Sequence, residues 1–446
     1  MTGAGNGSLR VAESSPEISA RSLASTLVPS ERKKAHGGTL GVVKQRPSEA
    51  RVSLKSGEAL SLSIAPALDP IEREWQALQE RIPVSPYQRF DLVDCWVRHA
   101  AAGAGCDVRI GIVRNGAGEA VMILPFGLVR RLGTSVAVYL GGSHFNVNMP
   151  LVDPGLRLDA GTLTHLFDAY CRLTGADALY LFNQPVNWRD AAHPFLCMPR
   201  HEAPDDVSLI VIKDGDFARH VATELLRKVR SELRRKAARF AQANAHIVRA
   251  GTPQDVSRFL DAFIEQKSAR LTSQGLDDPF ATPGIKAFFR ETALRGLRGS
   301  GGVEMHALQT ARGKLLAVRV GARHQGQYAF MVQSFDTADP LAKYSPSEYL
   351  IAEVLAESCR QGFTSFDFGV GANRFKKVWA NRVTDLFYVT HAANAKGQLY
   401  AGLMQLTGAA ARYIKRNPFL FSAVQEARAL SVRLRGSVES NSLRGR

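Results

Sequence analysis

The sequence predicts an α+β fold of two tandem units, each a mixed β-sheet flanked by helices, followed by a helical C-terminal tail. Three observations predict it. Hydrophobic positions recur with a period of two in some segments and of 3.6 in others, which marks strands and amphipathic helices. The order strand, two helices, three strands, helix, strand occurs twice, near residues 60–212 and 245–390. The composition is that of a globular chain: 446 residues, 45% hydrophobic and 22% charged, with a length suited to two or three domains.

The elements follow in order. Residues 1–58 hold no aromatic and few large apolar residues. They bury too little surface to offset the entropy of ordering, so a disordered leader is expected. Leu60–Ile64 alternates like a strand. Asp69 is placed to cap a helix with Pro70 at its first position and Ile71, Trp75 and Leu78 on one face. A second helix is expected near Phe90–Ala101. Strands are expected at Asp107–Val113, Ala120–Val129 and Ser135–Leu140, then a helix at Gly161–Leu173 and strands at Ala178–Phe182 and Val207–Ile212. These elements make a first unit over residues 59–212.

The second unit, 213–400, opens on one long basic helix, Glu224–Ala243. Strand Ala245–Ala250 is followed by helix Pro253–Leu271, capped by Thr252, and helix Ile285–Leu297. Three β segments follow: Val303–Gln309, Leu315–His324 and Gln327–Ser334. Gly326 lies in a hairpin turn between the last two. Helix Ser347–Gln361, strand Ser365–Phe368, short helix Arg374–Trp379 and strand Asp385–Thr390 complete the unit. The tail, 401–446, reads as helical with a break at Asn417-Pro418 and a Ser/Arg-rich stub.

The net charge of +16 is unevenly placed. The leader contributes +4, the segment 219–239 contributes +6, and the tail from Lys396 on contributes +7, so the remainder stands at −1. Clustered positive charge suits an anionic partner. The bases of 219–239 fall on several faces, and only Phe217 and Phe240 flank them. Nucleic-acid platforms need stacking aromatics, so that partner is set aside in favour of an anionic membrane surface or glycan. No run of about 18 apolar residues and no secretory signal is present, so a cytoplasmic protein, peripheral at the inner membrane, is expected. Five widely spaced cysteines without a CxxC pair argue against a disulfide framework and against a zinc site, so no metal is expected.

The chain has no GxxxxGK[ST], HExxH or GxSxG motif. Gly369-Val370-Gly371 lacks the third glycine of a dinucleotide loop and reads as a tight strand-to-helix turn. The stretch Ser365–Trp379 is the most informative. It sets Asp367 inside an apolar strand, glycines at the strand end, and Arg374, Lys376 and Lys377 on a helix closed by Trp379. Upstream, Phe335-Asp336 ends a strand, and Lys343-Tyr344-Ser345-Pro346-Ser347-Glu348 opens a helix whose free N–H groups make an anion site.

The order FD…SP-x-x-x-L…G-F-x-x-F-D-F-G-x-G…F-K-x-x-W resembles the CelD/BcsL-type acyltransferases of the GNAT superfamily, bacterial proteins of cellulose and exopolysaccharide synthesis. These are related to the FemAB-type transferases with two GNAT-like domains in tandem. The resemblance covers roughly Leu60–His391 and is sharpest over Phe335–Trp379. The basic segment Leu226–Arg235 resembles the Arg-rich opening of the family's second half. The chain departs from the family pattern at Ser347 (usually Gly), Ala372 (Asp) and Phe375 (Tyr).

The resemblance implies an acyltransferase with an acyl-CoA, such as acetyl-CoA, as co-substrate. Backbone N–H groups of Ser347, Glu348 and Tyr349 would hold its diphosphate, with Ser345 and Lys343 beside them. Asp367, Lys376 and Asp336 are the candidate catalytic residues. His144 and Asn146, on the loop Gly141–Asn148, are read as lining an acceptor groove between the halves. Trp188, in a polar loop, offers a ring for sugar stacking. Arg230 and Phe375 complete the candidate substrate contacts. The expected acceptor is a glycan or amine-bearing molecule. Two alternatives stay open: an aminoacyl transferase using aminoacyl-tRNA, and a non-catalytic scaffold of a membrane glycan synthase.

Overall fold

The computed structural model describes residues 49–54, 59–189, 191–371, 374–417, 419–424 and 426. The expected disordered leader over 1–48, Ala372, Pro418 and the Ser/Arg-rich stub lie outside the described residues.

The chain opens on β1 (Glu49–Ser53) and β2 (Ala59–Ala65), paired antiparallel. β1 corrects the expected leader boundary at 58: Val52 is buried against the sheet because β2 supplies the partner that lone residues lack. Helices α1 (Glu72–Arg81) and α2 (Phe90–His99) follow. Asp69 does not cap α1. It begins a separate 3₁₀ turn, and its carboxylate pairs with Arg98.

The next two expected strands each divide between two sheets. One becomes β3 (Cys106–Val108) and β4 (Ile110–Arg114), the other β5 (Ala120–Leu124) and β6 (Phe126–Arg131). The second break is at Pro125, which has no N–H for a ladder. β7 (Thr134–Tyr139), β8 (Leu151–Val152), α3 (Ala160–Thr174) and β9 (Ala178–Pro185) follow, then a small hairpin of β10 (Asn187–Trp188) and β11 (Ala191–Ala192), and β12 (His201–Val211).

The expected long basic helix is two helices, α4 (Phe217–Thr223) and α5 (Arg227–Gln242). Leu225 turns into the core while Leu226, 73% exposed and extended at ψ 144, interrupts the helical path. β13 (His246–Arg249), α6 (Pro253–Ser273) and α7 (Ile285–Leu297) come next. Thr252 caps α6 as expected, in a reciprocal capping box with Asp255. β14 (Val303–Gln309), β15 (Leu315–His324), β16 (Gln327–Phe335), α8 (Pro346–Arg360), β17 (Ser365–Val370), α9 (Arg374–Trp379), β18 (Arg382–Ala392) and α10 (Ala395–Arg416) complete the described chain.

A five-stranded sheet runs β1-β2-β4-β5-β8. The other large sheet has eleven strands in the order β13-β14-β15-β16-β17-β12-β18-β9-β7-β6-β3. Apart from β13 at one edge, the pattern of parallel and antiparallel pairing reads alike from both ends. Each half contributes a parallel pair, β16 with β17 and β7 with β9. Between these pairs the halves exchange closing strands. β12, placed by sequence at the end of the first unit, lies between β17 and β18, and β18 lies beside β9.

The second helices of the two halves, α2 and α7, pack on each other. Asp94, buried between them, accepts from Arg98 at 2.7 Å and from Arg295 at 3.0 Å. Arg89 reaches the Gly302 and Arg323 carbonyls at 3.2 and 2.7 Å. Helix α10 covers β9, β12 and β18, and its Lys415 meets Asp205 at 2.5 Å. Arg412 and Arg416 pair with Glu202. This part of the expected basic tail is thus fastened to the sheet rather than free for an anionic surface. No helix among the described residues is long and apolar enough to cross a membrane. Cys95, Cys106, Cys171 and Cys359 are buried free thiols, and Cys197 is exposed.

Candidate active site

The two parallel pairs open in different ways. β16 and β17 pair only at Gln327–Ser365, Tyr328–Phe366 and Ala329–Asp367, and β16 then runs on to Phe335 without its neighbour. β7 and β9 pair at Val136–Ala178 and Ala137–Leu179. Beyond that point the first half fills its own opening. The Tyr139 hydroxyl donates to Gln184 Oε1 at 2.8 Å, the Asn148 N–H donates to the Asn183 carbonyl at 3.0 Å, and Asn148 Nδ2 donates to the Phe182 carbonyl at 3.1 Å.

The opening of the second half holds Asp367. Its side chain is fully buried. The Gly369 N–H donates to Oδ1 at 2.6 Å, and Oδ2 has no partner among the described residues. Burial pushes the carboxyl up to about 6, although the Gly369 N–H and the Lys376 charge both favour its ionised form. Lys376 folds back beneath the turn after β17, donating to the Gly369 and Val370 carbonyls, each at 3.0 Å. Gly369 and Gly371 stand at φ 77° and 89° there, a conformation glycine adopts without strain. On the neighbouring strand burial, reinforced by Asp205, raises the Asp206 carboxyl, while Lys376 acts against the rise.

The first half supplies the facing wall. Asn146 Nδ2 donates to the Tyr87 hydroxyl at 2.7 Å and to the Met331 carbonyl, in the unpaired part of β16, at 3.5 Å. Burial holds the Tyr87 phenol well above its usual range, and the nearby Asp367 charge adds to this. Tyr87 sits in a 3₁₀ turn fixed by the reciprocal capping of Ser85 and Gln88, and Gln88 Nε2 donates to the Val147 carbonyl at 3.2 Å. Sequence reasoning missed Tyr87. Its one local signal was Ser85-Pro86-Tyr87-Gln88, a serine cap with glutamine three residues on.

The anion-site residues gather at the start of α8, next to the end of β16. Ser347 Oγ donates to the Ser334 carbonyl at 3.1 Å, which ties the two together. Of the three N–H groups expected to hold a diphosphate, those of Glu348 and Tyr349 already donate to the Ser345 carbonyl, at 3.1 and 3.2 Å. The Ser347 N–H makes no backbone hydrogen bond among the described residues. Ser345 adopts a left-handed φ of 56° to start the helix. Helix α5 lies alongside: Lys236 pairs with Glu348, Phe240 stacks on Tyr349 at 5.0 Å, and Arg239 lies 5.8 Å over the Tyr344 ring. Lys236 thereby neutralises a carboxylate that would otherwise oppose an anion. Lys343 is exposed, its ammonium 5.2 Å over Tyr344.

Other expected residues stand elsewhere. Asp336 is engaged in a turn, accepting from the Ala338 N–H at 2.9 Å and pairing with Lys314 at 2.9 Å. His144 does not line a groove: it is buried against Phe280 and Phe289, with Nε2 3.3 Å from the Pro279 carbonyl. Trp188 is only 4% exposed, because its hairpin folds the ring into the core, and so offers no sugar platform. The Arg230 guanidinium turns back to the Ala222 carbonyl, an orphan of the last turn of α4. Phe375 packs between Phe368 and Trp379 as an apolar floor beneath the turn.

Residues 227–377 match the family described as an acetyltransferase (GNAT) domain. No curated protein matches the chain in sequence. Among solved structures, the chain is similar to FemX, with 12% identity, a TM-score of 0.49, and coverage of 74% of this chain and 97% of that one. It is similar to L-PGS from Bacillus licheniformis at 11% identity and a TM-score of 0.48, over 77% of this chain and 96% of that one. A tandem GNAT protein from the clavulanic acid biosynthesis pathway is similar at 14% identity and a TM-score of 0.42, over 75% of this chain and 99% of that one. The match to the acetyltransferase domain lies within the second half of the chain, and the first half carries a parallel strand pair of its own in the same sheet.

Proposed function

We propose that the protein is an acyltransferase with an acyl-CoA as donor, acting on a glycan or amine-bearing acceptor in exopolysaccharide synthesis. The observation that carries this reading is Asp367, a buried carboxylate with one unpartnered oxygen, set where β17 parts from β16, the strand whose far end meets the start of α8 at Ser334. The Ser347 N–H, at a helix start where Lys236 neutralises Glu348, suits the donor's diphosphate. Asp367 takes the proton of the acceptor N–H or O–H as that atom bonds to the thioester carbonyl carbon. The C–S bond breaks, and the thiolate recovers the proton. A base that is ionised just above pH 6 suits this work at neutral pH.

Calorimetric titration with acetyl-CoA tests the reading. Asp367→Asn should bind acetyl-CoA like the parent while losing transfer by about 10²-fold or more. No binding by either protein overturns it.

A second reading, transfer from aminoacyl-tRNA, draws support from the outer face of α5. There Arg227, Lys228, Arg234 and Arg235 are exposed beside a shallow groove of about 370 Å³. Binding of tRNA that weakens steeply with salt would favour this reading. Absence of binding at low salt would remove it.

A further inference from the structure

Helix α10 has two apolar faces, and only one is used within the described residues. Its inner face, with Tyr400, Ala401, Met404 and Ala411 buried, packs on β9, β12 and β18. On the outside, Leu399, Leu406 and Tyr413 are between 66% and 78% exposed. Their regular spacing keeps them within about 40° of one another around the helix and strings them over about 21 Å. No charged residue lies between Lys396 and Arg412. Just past the helix end, Phe419 is 80% exposed. Single exposed apolar side chains are ordinary, but an aligned row of large ones marks a binding surface.

Cations gather at one end of this row. Arg130 and Arg131 end β6, Leu132 is exposed at the tip of the hairpin that follows, and Lys396 stands in the first turn of α10. All three cations are exposed. Burial works to raise the Asp177 carboxyl, but hydrogen bonds from Asn394 and the Ser135 N–H, with the charges of Lys396 and Arg130, hold it below its usual range. Burial pushes the Tyr400 phenol up to about 12, against the pull of Arg131. Arg130, Arg131 and Lys396 are therefore neighbours in space. At the other end, Arg412, Lys415 and Arg416 are engaged by Glu202 and Asp205.

We propose that the outer face of α10, with Leu132 and the Arg130, Arg131 and Lys396 cluster, docks on an anionic lipid surface. The helix lies in the plane of the interface, its leucines at the boundary of the acyl chains and the cations on the headgroup phosphates. It lies on the bilayer rather than across it, since no helix among the described residues is long and apolar enough to span. A second copy of the chain is the rival occupant of such a row. Helix α10 holds no acidic residue. A second α10 on this face would bring positive charges with none to answer them, whereas anionic headgroups answer all three cations.

The turn after β17 is tied to the same helix. Lys415 meets Asp205 at 2.5 Å, and the carbonyl of the adjacent Asp206 receives the Gly371 N–H at 3.0 Å. The inference stands whatever the acyl donor proves to be.

Flotation of the full chain tests it, with vesicles of phosphatidylcholine alone and of phosphatidylcholine mixed with phosphatidylglycerol. The protein should float with the mixed vesicles and far less with the neutral ones. Leu399→Gln combined with Leu406→Gln should weaken binding by about tenfold or more, with the melting temperature unchanged because both side chains are exposed. Arg131→Gln combined with Lys396→Gln should weaken it by about tenfold, and added salt should act in the same direction. Equal binding to both kinds of vesicle, or binding to neither, overturns the inference. So does an unaffected leucine variant, which would assign the binding to basic residues elsewhere in the chain. A dimer in light scattering that the leucine variant dissociates would give the face to a second copy and overturn it as well.

Discussion

Gly369 and Asn146 approach so closely that a β-carbon on the glycine would stand 2.7 Å from the asparagine Nδ2. The contact joins a loop of the first half to strand β17 of the second. Gly369 also holds φ at 77°. Gly369→Ala should therefore destabilise the protein by about 2–3 kcal/mol, from left-handed strain plus displacement of Asn146. Urea denaturation of the variant beside the parent measures this.

Asp367 makes stability depend on pH in an unusual direction for a carboxylate. Its pKa is about 6 in the folded protein against an ordinary 3.8, so the folded state binds the proton more tightly. This contribution is complete below about pH 4 and is lost as pH rises through about 6. The change amounts to roughly 3 kcal/mol. Asp367→Asn should abolish the dependence and be the more stable protein at pH 7, while losing transfer. Urea titrations at pH 4.5 and 7 read the difference.

Lys376 holds two carbonyls of the turn after β17. Lys376→Met should remove about 2–3 kcal/mol, since it strips charge-assisted hydrogen bonds from buried acceptors. It also removes the cation that favours ionised Asp367. The acid limb of activity should therefore move to higher pH, a shift that a pH–rate profile detects.

Asp94 joins α2 to α7 through Arg98 and Arg295. Asp94→Ala leaves the partly buried Arg295 with the longer Glu291 pair in place of its 3.0 Å partner and should cost about 2–3 kcal/mol. Calorimetric melting should show a lower transition temperature, and separation into two transitions would mark loosened coupling between the halves.

Lys236 neutralises Glu348 in the first turn of α8. Lys236→Ala should weaken acetyl-CoA binding by about tenfold, because an uncompensated carboxylate then faces the diphosphate. Glu348→Gln in the same chain should restore it. Calorimetry on both variants tells an electrostatic role from a packing role.

Much of the second half was legible because its signals are local. Ile285–Leu297, Val303–Gln309 and Leu315–His324 follow periodicity to the residue. Asp367 stood out as an acid among phenylalanines followed by glycines, a pattern written within a few positions. Tyr87 left no such mark, because its role depends on Asn146 and on a strand far along the chain. Trp188 and His144 misled for the opposite reason. Polar neighbours in sequence suggested exposure, but the hairpin and the helix contacts bury both rings. The long basic helix failed at Leu226, where tertiary burial of Leu225 outweighed helix propensity.

The exchange of β12 and β18 bears on how the protein comes into being. When the first half leaves the ribosome, its strand β9 still lacks the neighbour that only residues 382–392 provide. Its own β12, meanwhile, has no sheet to join until β17 is made. Pairings this distant in sequence form late and slowly. A nascent chain arrested near residue 300 would carry exposed strand edges, a state prone to aggregation and suited to chaperone capture. Cutting the gene after residue 212 would not yield two self-sufficient proteins. Each fragment would hold the closing strand of the other, and co-expression would be the condition for either to mature.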